Sequence, residues 1–249
     1  MERLVIIPTY NEKENIEAII TAVMELPLEF NVLVIDDGSP DGTADIVKGL
    51  MAGKYKGRVD IVERSGKLGL GTAYICGFKW AIEHKANYIF EMDADFSHNP
   101  QDLLKLYDAC ANRGADLAIG SRYVTGVNVV NWPMGRVLMS YFASKYVRFV
   151  LGVDIHDTTA GFVAYRRHTL ETIELDKIRF KGYAFQIEMK FTAHRMGFKI
   201  VEVPIVFVNR VLGTSKMSSG IFGEALFGVI KLRWESIFNR QRFTRRPRQ

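Results

Sequence analysis

The feature of this sequence that most constrains its fold is the regular alternation of short apolar runs with longer segments of helical periodicity. Buried strands read as continuous apolar runs, whereas helices place apolar residues three and four positions apart. The first 120 residues contain five such runs, at residues 4–7, 32–35, 59–62, 88–92 and 117–120. Helical segments separate them, and Asn11 is expected to cap the first of these helices. This order predicts an α/β fold with a mostly parallel sheet and helices on both faces.

The alternation changes after Trp132. From there the pattern predicts helices and strands in a looser order: helices at residues 134–151, 185–196 and 221–238, and strands at 162–165 and 200–208. No internal repeat and no long linker divides the chain. We therefore expect one domain at residues 1–218, followed by an amphipathic helix and a basic tail at residues 219–249.

The distribution of charge argues against a broad nucleic-acid-binding face. The formal net charge is +5, but residues 231–249 carry seven Lys or Arg and one Glu, a net of +6, so residues 1–230 sum to −1. A nucleic-acid-binding domain would carry its basic surface on the folded body. The basic tail is suited instead to anionic lipid, or to nonspecific contact with RNA.

The cysteines and the apolar runs bear on the compartment. Cys76 and Cys110 lie in predicted helices without metal-ligand or redox spacing, so we expect reduced packing residues in a cytosolic protein. No apolar run approaches the roughly 18–20 residues that span a bilayer. The chain begins Met-Glu-Arg and passes directly into a strand, so no signal peptide is expected. These features predict a soluble or peripheral protein.

Acidic and polar residues follow three of the predicted strands directly. They form the segments Pro8-Thr9-Tyr10-Asn11-Glu12, Asp36-Asp37-Gly38-Ser39 and Asp93-Ala94-Asp95. In an open parallel sheet, ligands bind beyond the carboxyl ends of the strands. Two carboxylates one residue apart, such as Asp93 and Asp95, can hold one hard cation and leave positions for phosphate oxygens. A lone Asp-x-Asp is more often a solvated turn, but its place at a third acidic strand end favours a metal site.

Five segments occur in an order that is typical of one enzyme family. Besides the three strand-end segments, these are Gly69-Leu70-Gly71-Thr72-Ala73 and Gly120-Ser121-Arg122-Tyr123. Over about residues 3–235 the sequence resembles the inverting family-2 glycosyltransferases, which have a Rossmann-like GT-A fold. Within that family it is similar to the polyprenol (dolichol) phosphate mannose synthases. The resemblance implies a sugar-nucleotide donor and Mg²⁺ or Mn²⁺ as the cofactor.

The resemblance also implies which residues bind the donor and the metal. Those that would hold the base and ribose are Pro8, Tyr10, Glu12, Ile35 (through its backbone) and Asp37. Asp93, Ala94 and Asp95 would lie at the metal and the diphosphate, with Asp95 also catalytic. Ser97 falls where some relatives place a Gln metal ligand, and a hydroxyl is a poorer ligand than that amide. For the strand-end residues the alternative is ordinary turn and capping chemistry.

The acceptor implied by the resemblance is a phosphate monoester, which needs no general base because it is already an anion near neutral pH. It needs cations and hydrogen-bond donors to align it with the anomeric carbon. In the family-like interpretation these catalytic groups are Arg122, Arg136 and Ser140. Arg210 and Lys216 would close over the donor diphosphate as a lid. The alternative for any one of these cations is a surface salt bridge.

Three further residues carry open alternatives. Glu188 is either the general base of hydroxyl-glycosylating relatives or, as we favour, a group that orients Arg and Lys side chains. His98 is expected to be a polar turn residue, and not a ligand. Trp132 stacks on a sugar, lies at the lipid interface, or packs in the ordinary way. The segment Asp157-Thr158-Thr159-Ala160-Gly161-Phe162 shapes the sugar pocket or is structural.

The sequence therefore predicts transfer of mannose from GDP-mannose to polyprenyl (dolichyl) phosphate with inversion, giving a β-linked product. The alternatives are a related transferase that uses UDP-glucose, a nucleotide-binding scaffold without turnover, and an RNA-associated protein. The apolar, aromatic last helix with its basic tail predicts an interfacial anchor on the cytoplasmic face of a membrane, or else a core or dimer helix. Such a protein would dock on the membrane directly, through a membrane-protein partner or as a homodimer.

Overall fold

The computed structural model describes residues 1–182, 184–210 and 221–245, with side chains of the last helix from Phe227 onward. The strands of this part of the chain are β1 (Arg3–Thr9), β2 (Asn31–Asp36), β3 (Val59–Glu63), β4 (Tyr88–Glu91), β5 (Leu117–Ser121), β6 (Val129–Val130), β7 (Val163–Arg166), β8 (Ile200–Pro204) and β9 (Phe207–Val208). The helices are α1 (Ile16–Met24), α2 (Thr43–Ala52), α3 (Leu70–Glu83), α4 (Asp102–Ala111), α5 (Met134–Leu151), α6 (Arg167–Thr172), α7 (Ala184–Arg195) and α8 (Ile221–Phe238), with 3₁₀ turns at Leu175–Lys177 and Arg240–Phe243.

A seven-stranded sheet forms the centre, in the order β3-β2-β1-β4-β7-β5-β8. Its strands run parallel except for β7, which is antiparallel to both β4 and β5. The mostly parallel α/β fold is therefore confirmed. In the register of β1 against β2, Pro8 lies opposite Ile35 and Thr9 opposite Asp36. The carboxyl ends of these strands are level, so the loops that follow them start side by side.

Two hydrophobic layers cover the sheet, one on each face. Side chains alternate between the faces of a strand, and β1 shows this clearly. Leu4 and Ile6 pack in the layer formed with α3, α5, α7 and α8. Val5 and Ile7 pack in the layer formed with α1, α2 and α4. All four side chains are fully buried. Packing on both faces therefore fixes β1 and the start of the loop after it.

Two predicted elements are wrong in detail. The first helix begins at Ile16, and Asn11 does not cap it. Asn11 has a φ of 55°, and its N–H donates to Ser39 Oγ at 3.0 Å, because the loop after β1 is tied to the loop after β2. The single strand predicted at 200–208 is two strands. It breaks after Pro204, which has no N–H for a ladder, and β9 then pairs with β6 in a separate two-stranded sheet.

The last helix is amphipathic and packs against α5 and α7. Val229 and Leu232 are buried in the core layer, whereas Phe227 and Trp234 are 73% and 61% exposed. One face of the helix thus belongs to the core and the other is open, and its role as an interfacial anchor stays a prediction. The predicted division of the chain at residue 218 lies outside the described residues and stays a prediction.

The C-terminal 3₁₀ turn changes the interpretation of the basic tail. Arg242, in the predicted basic tail, is 5% exposed. It pairs with the fully buried Glu188, with Glu235 Oε2 at 2.6 Å and with the carbonyl oxygen of Lys177 at 2.7 Å. The adjacent Phe243 is also buried. The tail up to this point is therefore part of the folded body, because Glu188 requires a cation inside the core.

Within the described ranges, no helix combines the length and the apolar character needed to cross a membrane.

We expect Arg242→Ala to lower the free energy of unfolding by about 3 kcal/mol, because it leaves the buried carboxylate of Glu188 without its cation. Urea unfolding followed by far-UV circular dichroism measures the change. Arg240→Ala is the matched control, since this neighbouring side chain is exposed, and it should shift the midpoint little. Equal effects of the two substitutions would contradict a buried ion pair.

Candidate active site

The loops after β1 and β2 form one side of the site. Asp36 is 1% exposed and accepts hydrogen bonds from Thr9 Oγ1 at 2.8 Å and from Ser39 N and Oγ at 2.8 and 2.6 Å. These hydrogen bonds fix the geometry of both loops. The N–H of Asp37 donates to the carbonyl oxygen of Thr9 at 2.9 Å. Asp37 is thereby held next to the end of β1, as its predicted role beside the donor base requires.

The carboxylate of Asp37 has a specific cationic neighbour. Arg64 Nε lies 3.0 Å from Asp37 Oδ1, and both side chains are 9% exposed. Burial raises the pKa of Asp37 above its ordinary value, although the Arg64 guanidinium acts in the opposite direction. Arg64 Nη2 also donates to Thr72 Oγ1 at 2.8 Å, at the start of α3. The glycine-rich segment at residues 69–73 is therefore joined to the donor side of the site.

The other residues predicted to hold the base and ribose lie at the same edge of the sheet. Pro8 and Ile35 are paired neighbours at the ends of β1 and β2. In the loop after β1, the Tyr10 ring lies 5.5 Å from Lys67 Nζ. Glu12 is anchored by its N–H, which donates to Thr43 Oγ1 at 3.1 Å. The structure thus brings the predicted donor-binding set together, while its contact with a nucleotide stays a prediction.

The acidic pair follows β4 in a tight turn in which Phe96 has a φ of 59°. Asp95 is 6% exposed, and its Oδ1 accepts the N–H of Ser97 at 3.0 Å. Its Oδ2 lies 2.9 Å from Arg210 Nη2. Asp93 is more open, with 39% of its side chain accessible. Ala94 between them is buried, so the two carboxylates project from a rigid support.

The charge state of Asp93 is suited to a bound cation. Although 39% of the side chain is accessible, partial desolvation of the carboxylate and the nearby negative charge of Asp95 raise its pKa to about 7. A divalent cation between the two carboxylates would relieve this repulsion. Arg210 already supplies a positive charge to Asp95. The residues present therefore fit a hard cation.

The protein provides few ligands for such a cation. Among the described residues, no group of three or more His, Cys, Asp or Glu could hold a metal ion. Asp93 and Asp95 would be the acidic ligands, leaving positions for phosphate oxygens and water. Ser97 is held by its backbone, since its carbonyl oxygen accepts the N–H of Val208 at 3.3 Å. Its hydroxyl as a metal ligand stays a prediction.

His98 shapes the acidic turn, a role that the sequence did not reveal. Its side chain is buried, and Nδ1 accepts the N–H of Asp93 at 3.2 Å. The ring stacks on Phe162 with centroids 4.7 Å apart. Burial lowers the pKa of His98 to about 4, so the ring is neutral and keeps Nδ1 as an acceptor. The one sequence signal was its position three residues after the Asp pair.

Arg122, predicted to bind the acceptor, is firmly positioned by Asp157. Nε and Nη2 of the arginine lie 2.7 and 2.6 Å from Oδ2 and Oδ1 of the carboxylate, and Nη2 also donates to Thr159 Oγ1 at 2.8 Å. Burial alone would raise the pKa of Asp157, but the charge and hydrogen bonds of Arg122, together with the charge of Lys190, lower the pKa below its ordinary value. Glu202 Oε1 accepts the N–H of Asp157 at 2.9 Å. The segment at 157–162 therefore has a structural part, in holding Arg122.

Arg136 and Ser140 lie one turn apart on α5, as predicted. Arg136 Nη1 donates to Asn209 Oδ1 at 3.2 Å, and its guanidinium lies 4.0 Å from the centroid of the Trp132 ring. Ser140 Oγ accepts the hydroxyl of Tyr123 at 2.8 Å. Tyr123 adjoins Arg122 in the chain, so this hydrogen bond joins the loop after β5 to the first turns of α5.

Strand β9 and the residues after it connect the acidic and basic sides. The Phe207 ring lies 5.4 Å from the His98 ring and 5.2 Å from the Trp132 ring. Two residues further on, Asn209 accepts a hydrogen bond from Arg136, and Arg210 pairs with Asp95. The acidic strand ends and the predicted acceptor cations therefore meet at residues 207–210, and the region around this segment forms the candidate cleft.

Two other predicted residues have different outcomes. Glu188 is fully buried and accepts the N–H groups of Arg179 and Phe180, each at 2.9 Å, besides its pair with Arg242. This confirms that it orients an arginine, and those bonds occupy both carboxylate oxygens. Lys216, predicted in the lid, lies outside the described residues.

Comparison with known proteins assigns the chain to a family. A model described as "Glycosyl transferase family 2" matches residues 4–174. The chain belongs to this family. The polyprenol monophosphomannose synthase of Mycolicibacterium smegmatis is 50% identical over 226 residues, which cover 91% of this chain and 84% of that protein. The undecaprenyl-phosphate mannosyltransferase of Micrococcus luteus is 47% identical over 241 residues, covering 95% and 98%.

Solved structures of this architecture come from a glucosyl-3-phosphoglycerate synthase of Mycobacterium tuberculosis. Its complex with phosphoglyceric acid has a TM-score of 0.64 at 20% identity, covering 94% of this chain and 79% of that one. Its complex with Mn²⁺, UDP and glucosyl-3-phosphoglycerate has a TM-score of 0.63 at 20% identity, covering 93% and 78%. At this identity the likeness shows the fold alone. The family-2 glycosyltransferase with a GT-A-like fold, expected from the motifs, is confirmed.

The raised pKa of Asp93 predicts a pH dependence of stability. Between about pH 4 and pH 7 the folded protein keeps a proton that the unfolded chain releases, so the free energy of unfolding should fall as the pH rises through this window. Asp93→Asn should reduce that slope. Urea unfolding in EDTA at pH 5, 6, 7 and 8 measures it.

The slope should not vanish in this variant, because burial also raises the pKa of Glu91 to about 7. Asp154→Asn is the control, since its side chain is 86% exposed and pairs with Arg148 at the surface. A slope in Asp93→Asn equal to that of the unsubstituted protein would show that Asp93 titrates normally.

Proposed function

We propose that this protein transfers the mannosyl group of GDP-mannose to the phosphate of a polyprenol, with inversion, to give a β-linked polyprenyl phosphate mannose. The two relatives at 50% and 47% identity are named for mannose transfer to polyprenol or undecaprenyl phosphate, and both alignments cover most of the chain. Family membership supports the reaction type. The names support the sugar and the acceptor, and GDP as the carrier follows from the resemblance in the motifs.

The observation that carries the proposal is that two adjacent residues contact both the acidic side and the basic side of the site. Asn209 holds Arg136 while the next residue, Arg210, holds Asp95. A leaving diphosphate at the acids and an incoming phosphate at the cations would therefore face the same space. A protein that only bound a nucleotide would not need this second anion site. The scaffold hypothesis is weaker for that reason.

The donor would lie across the ends of β1, β2 and β4. Asp37, fixed by Arg64, would accept hydrogen bonds from the base, and Tyr10 and Glu12 would border the base and ribose. Mg²⁺ or Mn²⁺, when held by Asp93 and Asp95, would neutralise the charge that develops on the leaving diphosphate. A distant structural neighbour was solved with Mn²⁺ and UDP. Arg210, which lies at Asp95, and Lys216 would pair with the diphosphate as a lid.

The acceptor would need no deprotonation, because a phosphate monoester is already an anion near neutral pH. Arg136 would bind it directly, and the Ser140 hydroxyl would orient one of its oxygens. Arg122, fixed by Asp157, would set the positive potential of the subsite. This division of roles agrees with Glu188 being engaged in the core and not serving as a base.

The membrane would lie against the exposed apolar face of the two packed helices α5 and α8. Each of the following side chains is at least 43% exposed: Met134, Leu138, Met139, Phe142 and Phe149 on α5, and Phe227, Ile230, Trp234, Ile237 and Phe238 on α8. Arg136 and Ser140 lie on the same α5 helix, so a phosphate bound there would leave its prenyl chain beside this face. Lys231 and Arg240 add positive charge for anionic lipid. We therefore propose a peripheral protein on the cytoplasmic face of a membrane.

The test of the function is incubation of the purified protein with polyprenyl phosphate in detergent, Mg²⁺ or Mn²⁺, and a panel of labelled nucleotide sugars. Label should enter the lipid only from GDP-mannose, and EDTA should prevent transfer. Transfer from UDP-glucose in its place would assign the alternative donor.

We expect Asp95→Ala to reduce kcat at least about 1,000-fold, since the charge on the leaving group would no longer be neutralised. Asp154→Ala, at an exposed carboxylate, should retain full activity. Retained transfer in Asp95→Ala would remove this residue from the mechanism.

The membrane proposal predicts that Phe142→Ser with Trp234→Ser weakens vesicle binding roughly tenfold or more, because two exposed apolar side chains no longer enter the lipid. Co-sedimentation with vesicles containing anionic lipid measures the binding. Activity toward detergent-dissolved acceptor should persist. Leu68→Ser, at an apolar residue 55% exposed elsewhere on the surface, is the control, and an equal loss in it would contradict the assignment of the face.

A further inference from the structure

Trp132 occupies an unusual position in the cleft. Its ring centroid lies 4.0 Å from the guanidinium carbon of Arg136 and 5.5 Å from that of Arg122. Both distances are within the roughly 6 Å over which the face of an indole attracts a cation. Phe207 packs edge-on against the same ring at 5.2 Å. One aromatic side chain therefore contacts the two cations that the proposed function assigns to the acceptor phosphate.

The indole nitrogen provides an independent observation. Trp132 Nε1 is buried, and within the described part of the chain it donates no hydrogen bond. Buried tryptophan N–H groups usually have a partner, because an unsatisfied donor costs free energy. Such groups occur where a ligand completes the bonding. An oxygen-rich anion next to Arg136 would supply the missing acceptor.

The roles left open by the sequence do not match this environment. A tryptophan that only filled the core would be surrounded by apolar groups, whereas this ring contacts two guanidinium groups. One that anchored the protein in lipid would expose its nitrogen at the interface, and this nitrogen is buried. Stacking on a sugar needs an open ring face, but Arg136 lies over the ring at 4.0 Å.

We propose that Trp132 is a positioning residue of the acceptor subsite, which holds the guanidinium groups of Arg136 and Arg122 in place for a phosphate monoester and donates its Nε1–H to that phosphate. The proposal deepens the proposed function and rests on it for the identity of the acceptor. Without the ring, Arg136 would lose its face contact and keep Asn209 as its hydrogen-bond acceptor. The anion site would then be less ordered before the acceptor arrives, and binding would weaken.

Steady-state kinetics separate this role from a merely structural one. Trp132→Leu removes the ring and the N–H and should raise the KM for polyprenyl phosphate roughly 30-fold, with the KM for the nucleotide sugar unchanged. Trp132→Phe keeps an aromatic face and should give an intermediate rise. Trp80→Leu is the control, because Trp80 stacks on His84 away from the cleft. A parallel rise of both KM values, or no rise in Trp132→Leu, would overturn the proposal.

Fluorescence tests the same contact without turnover. In a Trp80→Phe, Trp234→Phe variant, Trp132 is the one remaining tryptophan of the chain, which has three. Titration with farnesyl phosphate should shift its emission, farnesol should not, and inorganic phosphate should act at higher concentration. An identical response to farnesol would overturn the phosphate contact.

The fluorescence titration also separates the proposed role of Trp132 from the proposed mannosyl transfer. A shift with farnesyl phosphate in a protein that transfers no mannose would keep the phosphate subsite and reject the proposed donor. Mannose transfer with no change in Trp132 emission and an unaltered KM in Trp132→Phe would keep the proposed function and reject the role of Trp132.

Discussion

The ion pair between Asp95 and Arg210 joins the two halves of this molecule at the site. Parallel strands end at one edge of the sheet, so their acidic loops gather negative charge that must be balanced. The balancing cation comes from the distant segment after β9. The same segment holds Arg136 through Asn209. Because one short stretch of chain contacts both sides, the distance between the acids and the cations proposed for the acceptor is fixed by the fold.

Buried carboxylates determine which arginines belong to the fold and which remain for ligands. Arg122 is aligned by Asp157, Arg242 is drawn into the core by Glu188, and Arg64 faces Asp37. Each pair forms because a charge removed from water requires a partner of opposite sign. An arginine that pairs with a buried carboxylate therefore has a structural role, whatever further role it has at the site. Arg210 pairs with Asp95 and is still partly exposed, so its proposed role at a diphosphate is compatible with this ion pair.

Much of the site could be predicted because its residues follow strands. Once the alternation indicated a parallel sheet, Asp37 and Asp93 had to meet at its carboxyl edge, and the structure places them there. The environment of His98 could not be predicted in this way. A histidine in a turn reads as solvated, yet packing against Phe162 buries it and makes it the acceptor for the Asp93 N–H. Local sequence does not show which distant ring will cover a side chain.

The sequence by itself determined the alternation of strands and helices over the first 120 residues, the family, and the set of acids at the sheet edge, because these follow from local periodicity and from motifs whose spacing is short. Only the tertiary structure decided that β9 pairs with β6, that Arg242 is buried, and that Trp132 lies against two guanidinium groups. Those outcomes depend on contacts between residues far apart in the chain. Their energies come from burial and charge pairing between distant residues, and no local sequence pattern shows which distant residues will meet.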